Sequence, residues 1–171
     1  MAKNAIYTLA FRRKREGKTN YKKRLEFLKS TKSRLVIRRS NSAVSIQFVN
    51  YDPDGDKVVV TLHSSKLESF GWKFSKKSLP ACYLAGLAAG VAASKKGVKD
   101  AILDIGLQTP KKGSRIYAAL KGVIDAGVTV PSSEEIFPSK ERLSGKHIVD
   151  YRDSAKTLPK TFEDVKKKIL S

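Results

Sequence analysis

Apolar positions change period several times along this chain, and each change predicts an element. Tyr21, Leu25 and Leu28 fall at i, i+4 and i+7 while Lys22, Lys23, Arg24 and Lys29 occupy the remaining face, with Asn20 placed to cap the first turn. That spacing predicts a short basic helix whose one apolar seam docks on a core. Residues 34–39 (RLVIRR), 43–51 (AVSIQFVNY) and 57–63 (KVVVTLH) then read as three strands, joined by Ser-Asn-Ser and by Asp-Pro-Asp-Gly-Asp at 52–56. Two tight connections make an antiparallel meander, and in the second strand Val44, Ile46 and Phe48 share one face against Ser45, Gln47 and Val49 on the other.

Residues 79–93 are apolar on nearly every side, which predicts a buried helix. Pro80 suits its first turn, Gly97 closes it, and Ala85, Gly86, Ala89, Gly90 and Ala93 permit close approach to a sheet. A fourth strand is expected over 98–105, then a helix that Ser114 can cap and that ends before Gly127. The order βββαβα places a helix between the third and fourth strands. The expected fold is therefore α/β with a mixed sheet, the fourth strand pairing parallel with a strand of the meander. After Val130, prolines, serines and Gly145 interrupt any long periodicity, so an irregular C-terminal extension is expected, with one last helix over 161–170. Three parts result: a basic arm at 1–20, an α/β core at 21–130 that includes the first basic helix, and the extension at 131–171.

Charge changes the picture most. The chain of 171 residues carries 35 lysines and arginines against 16 acids, a formal net charge of +19. Residues 1–39 hold fourteen of those cations and only two acids, Glu16 and Glu26, a balance of +12. Such a field attracts polyanions, and the arm, with little to bury, is expected to stay mobile until an anionic partner neutralises it. The hydrophobic fraction of 40% is nonetheless enough for a core. A single cysteine, Cys82, and a start without a signal-type apolar run predict a reducing, intracellular compartment. The apolar stretch at 79–93 falls short of the roughly 20 residues that span a bilayer.

Catalytic and cofactor motifs fit poorly. Gly17, Lys18 and Thr19 resemble the end of a phosphate-binding loop, but Arg12 stands where that motif needs glycine. The acidic turn at 52–56 lacks the spacing of a calcium loop. His63 and His147 are far apart, and one cysteine cannot build a zinc cluster. Neither a metal nor a cofactor is expected. A ribonuclease H-like metal-dependent nuclease shares the βββαβα order, yet its chemistry needs several converging carboxylates. Only Asp104 and Asp125 could approach one another, without a convincing third, and Asp104 is better read as a structural acceptor. A basic membrane-surface module is the other alternative, against which stands the lack of a long amphipathic helix.

What remains is basic residues interleaved with aromatic and hydroxyl groups, at 11–15 (FRRKR), 18–24 (KTNYKKR), 71–77 (GWKFSKK) and 111–115 (KKGSR). Arginine forks phosphate and aromatic rings stack on unpaired bases, so the constellation suits RNA. Trp72 and Phe74 either stack on bases or cover the sheet.

These segments are also familiar as a set. FRRKREGKTNYKKRLEFLKS, RLVIRRSNSAVSIQFV, DGDK, LPACYLAGLAAG, GVKDAILDIGL, KKGSRIYAALKGVIDAG and PSSEEIFPSKERLSGKHI, collinear over about residues 6–151, closely resemble the 5S-rRNA-binding large-subunit ribosomal proteins of universal family eighteen, in their archaeal and eukaryotic branch. The resemblance implies a structural role in the central protuberance: binding 5S rRNA and helping attach it to the large rRNA, beside another 5S-binding ribosomal protein. It implies rRNA contacts from Arg12, Arg13, Lys14, Arg15, Lys18, Thr19, Tyr21, Lys22 and Arg24 in the arm, and from Arg38, Ser40 and Asn41 in the first hairpin. Lys112, Gly113, Ser114 and Arg115 fall in the strand-to-helix loop of the family, and Trp72 joins the rRNA-facing candidates from the basic-aromatic stretch. The chain departs from the family pattern at 74–79 (FSKKSL), and its last 20 residues match no part of it.

Overall fold

A computed structural model describes residues 6–152 and 155–170. Lys3, part of the arm's charge, lies outside them. The arm carries one helical turn, α1 (Arg12–Arg15), and leads into α2 (Tyr21–Lys29), where Asn20 Oδ1 accepts the Lys23 N–H at 3.1 Å as the capping pattern predicts. Three antiparallel strands follow, β1 (Ser33–Arg39), β2 (Val44–Asn50) and β3 (Lys57–His63), then a 3₁₀ segment (Ser64–Phe70), α3 (Leu79–Lys95), β4 (Ala101–Asp104) and α4 (Arg115–Asp125). The sheet order is β3-β2-β1-β4, with β4 parallel to β1, so the expected mixed sheet is present.

One face of the sheet is core. Leu35 and Ile37, Val44, Ile46 and Phe48, and Val60 and Leu62 bury their side chains under α3 and α4. α3 is apolar around its circumference because the sheet, α4 and the C-terminal helix each take a side of it. The close approach expected toward the sheet is made to α4 instead, backbone to backbone: a Cβ on Gly122 would lie 2.2 Å from the Tyr83 carbonyl oxygen, and one on Gly86 would lie 2.0 Å from that of Ala119. Cys82 is fully buried here, and burial pushes its thiol up to about 12. Among the described residues no helix is long and apolar enough to cross a membrane.

Three expectations shift. The fourth strand is shorter than 98–105, because the backbone at 99–101 bonds instead with Thr129: its N–H donates to the Lys99 carbonyl and its carbonyl accepts from Ala101. The seam of α2 is kept only in part. Tyr21 and Leu28 are partly covered as expected, but Leu25 is 56% exposed and Arg24 and Phe27 are partly covered in its place, Arg24 being tied to Asp56 of the β2–β3 turn. The extension is less irregular than its prolines suggest. It holds α5 (Lys140–Ser144), α6 (Lys146–Val149) and α7 (Leu158–Leu170), and Leu158, Phe162, Val165 and Ile169 of α7 join the core, with Phe162 5.6 Å from the Tyr83 ring. Pro159 lies inside α7 because a first-turn proline forfeits no intrahelical bond.

Candidate nucleic-acid interface

Strand alternation that buries Leu35 and Ile37 sends Arg34, Val36 and Arg38 to the opposite face. A groove runs there. Its floor is Val36, Gln47, Val49 and Val58 from the three meander strands, and Gly106 and Leu107 also line it. Arg13, Lys18 and Thr19 of the arm, with Asn20, Lys23, Arg24 and Phe27 of α2, form the overhanging wall. The arm is tied in by the Phe11 and Tyr21 rings, 5.2 Å apart, and by Arg13 Nε donating to Thr19 Oγ1 at 2.8 Å. Arg12 and Lys18 both grip Glu16, at 2.7 and 2.8 Å. The Lys18 and Arg12 contacts hold that carboxyl below its usual range, so the acid stays ionised and the cations stay oriented.

Beneath the wall lies a chain of alternating charge. Arg24 donates to both Asp56 oxygens at 2.9 Å, and Arg34 donates to Asp56 at 2.5 Å and to Asp104 at 3.4 Å. Arg38 donates to Asp104 Oδ1 at 3.0 Å and also to its backbone carbonyl. Burial by itself would raise the Asp56 carboxyl, but hydrogen bonds and charge from Arg34 and Arg24 outweigh it and hold the group below its ordinary value. Arg34 has only 5% of its side chain exposed, whereas those of Arg24 and Arg38 are 33% and 41% exposed. The two ends of the chain face solvent and its middle does not.

A second basic cluster lies at the start of α4. Arg39, Lys111, Arg115 and Arg142 surround Gly113 and Ser114. Gly113 sits at φ +68° and donates its N–H to the Ile136 carbonyl at 2.8 Å, so the extension shapes this loop. Ser114 occupies the cap position, but its hydroxyl makes no capping bond and is buried without a hydrogen-bond partner.

The predicted residues therefore divide. Arg13, Lys18, Thr19, Arg24 and Arg38 converge on the groove, while Arg12, Lys14, Arg15 and Lys22 stand exposed without lining it and Tyr21 packs on Phe11. Gly113, Ser114 and Arg115 share the second cluster, next to the hairpin end where Asn41 is exposed and the Ser40 hydroxyl is engaged by the Ala43 N–H at 3.0 Å. Lys112 turns away to Glu135, 2.9 Å distant. Trp72 is corrected: it is 2% exposed and its indole N–H donates to the Ser75 carbonyl at 3.3 Å, so neither ring face is open to a base. Phe74 packs edge-on against it at 5.6 Å. Sequence reasoning missed Arg34 and Asp56, although strand alternation already set Arg34 beside Arg38, and it missed Arg39 and Arg142, which only the fold brings to α4.

Asp104 is an acceptor, as expected, but for Arg34, Arg38 and the Gly106 N–H rather than for a helix start. Asp125 is engaged elsewhere, by the Tyr83 hydroxyl at 2.8 Å and by Lys121 at 3.2 Å. Among the described residues no group of three or more His, Cys, Asp or Glu is placed to hold a metal ion.

The family described as "Ribosomal large subunit proteins 60S L5, and 50S L18" matches residues 5–99 and 91–133. A curated relative from Korarchaeum cryptofilum (strain OPF8), "Large ribosomal subunit protein uL18", is 47% identical over 167 residues, which cover 96% of this chain and 86% of the relative.

Proposed function

Because the chain belongs to the uL18 family of large-subunit ribosomal proteins, and is thus a structural component of the ribosome rather than an enzyme, we propose that its specific partner is 5S rRNA. On this reading it holds that RNA against the large rRNA in the central protuberance, beside another 5S-binding ribosomal protein. The observation that carries the reading is the groove: a sheet face walled by Arg13, Lys18, Lys23 and Arg24 with Arg38 at its floor. The hydroxyl of Thr19 and the amide of Asn20 add polar groups at the same wall. Guanidiniums fork phosphate and ammoniums add point charge, so arm and sheet grip a sugar-phosphate backbone between them. The cluster around Ser114 supplies a second set of cations, joined to unsatisfied amides at a helix start, that suits another backbone segment.

Titration of purified 5S rRNA at several salt concentrations tests it. With about 8 phosphates neutralised, log affinity falls against log salt with a slope of roughly −6 to −7, at about 0.7 to 0.9 per contact. A flat response, or equal affinity for an unrelated structured RNA of similar length, contradicts the reading.

A further inference from the structure

Two acids stand in the basic groove, Asp56 and Asp104, and simple charge counting makes them a defect in a phosphate-binding surface. Their geometry points the other way. Asp56 belongs to the β2–β3 turn yet touches α2, a helix with no buried residue of its own, through both carboxylate oxygens on Arg24. Asp104, at the end of β4, fixes Arg38 from one oxygen and receives Arg34 on the other. Buried Arg34 links the two carboxylates, so five charged groups from α2, the turn, β1 and β4 form one connected unit. Gly106 completes it: its N–H donates to Asp104 at 2.8 Å, and a Cβ there would lie 3.0 Å from the Arg38 guanidinium carbon, so that plane rests against bare backbone.

We propose that Asp56 and Asp104 are positioning residues for RNA binding, which hold Arg24 and Arg38 in the orientation that receives phosphate. The proposal rests on the RNA-binding reading and deepens it. Long arginine side chains that are already immobilised lose less entropy on binding, whereas free ones must be ordered by the ligand. The sign of the effect separates this role from electrostatics. Removing a negative charge from the groove strengthens the field, so charge alone predicts tighter binding by Asp56→Asn; positioning predicts weaker binding.

The test is the affinity of the full chain for 5S rRNA in wild type, Asp56→Asn, Arg24→Gln and the double variant, at one salt concentration and below the melting transition. Asp56→Asn is expected to bind about 5- to 20-fold more weakly, from disordering one or two rotamer-rich side chains. In the Arg24→Gln background most of that loss disappears, a coupling that general loosening of the fold does not produce. Asp56→Glu restores part of the affinity. If Asp56→Asn does not fold, Gly106→Ala takes its place: it changes no charge, displaces Arg38, and is expected to weaken binding in the same direction. Wild-type binding with a folded Asp56→Asn that binds as tightly or more tightly overturns the proposal and leaves the RNA reading intact. So does Gly106→Ala at wild-type affinity when it is the variant used. Failure of the wild type itself to bind 5S rRNA removes the RNA reading and the proposal together.

Discussion

Deleting residues 1–19 separates what the arm does for binding from what it does for folding. Among the described positions before Asn20 only Ala10 and Thr19 are even partly covered, and Phe11 is 72% exposed although it meets Tyr21. The deletion removes almost no buried apolar surface, so its cost to stability is below about 1 kcal/mol and the melt moves by less than about 4 °C. Its cost to binding is far larger. The described arm carries Arg12, Arg13, Lys14, Arg15 and Lys18 against Glu16, a surplus of four positive charges. At about 0.8 of a counterion per phosphate, each contact is worth about 0.66 log units at about 0.15 M salt relative to 1 M. Four of them make about two to three orders of magnitude, and the salt slope becomes shallower by about 3. Calorimetry of both proteins, with filter binding to 5S rRNA across a salt series, reads the two effects separately. An unchanged slope refutes the placement of the arm on RNA, and a melt lowered by more than about 10 °C makes the arm part of the fold instead.

The remaining predictions concern the platform and the second cluster. Gly122→Ala drives a methyl into the α3 backbone, 2.2 Å from the Tyr83 oxygen and 2.7 Å from the Leu87 nitrogen. Overpacking of this kind costs about 1–3 kcal/mol or more, so the melt drops by at least about 2 °C; a value within about 1 °C of wild type means the helices are not so close. Asp56 has its folded pKa depressed, so its contribution to stability is present above the ordinary aspartate value of 3.8 and is lost as pH falls below it through the folded value. Denaturant unfolding should therefore show Asp56→Asn less stable than wild type at pH 6, with the gap closing as pH drops below about 4; a gap independent of pH removes the carboxylate as the cause. Arg115→Ala should weaken 5S rRNA binding about ten-fold, as expected for loss of a charge-assisted phosphate contact, and unaltered affinity takes the start of α4 out of the interface.

Period-two and helical patterns made most of the scaffold readable. The alternation in 44–48 placed the core face of the sheet, the all-round apolarity of α3 announced a helix enclosed on several sides, and the helix between β3 and β4 implied the parallel pairing seen beside β1. Boundaries were less visible where tertiary bonds decide them, as where Thr129 takes the backbone at 99–101. Pro159 misled because proline breaks helices only away from their first turn. The interface was legible as composition but not as arrangement. Basic density pointed to the arm and to 111–115, yet nothing local shows that Asp56 reaches both Arg24 and Arg34, or that Arg142 comes to α4, since those pairs are made across the chain by the fold. Trp72 illustrates the opposite error: a ring between basic residues resembles a stacking platform until its burial is known.

Hydroxyl-radical footprinting of the full chain on purified 5S rRNA addresses the central claim without any intermediary. Two protected backbone segments are expected: one that disappears when residues 1–19 are deleted, and one that survives the deletion and fades in Arg115→Ala. A cleavage pattern identical with and without the protein at moderate ionic strength contradicts it.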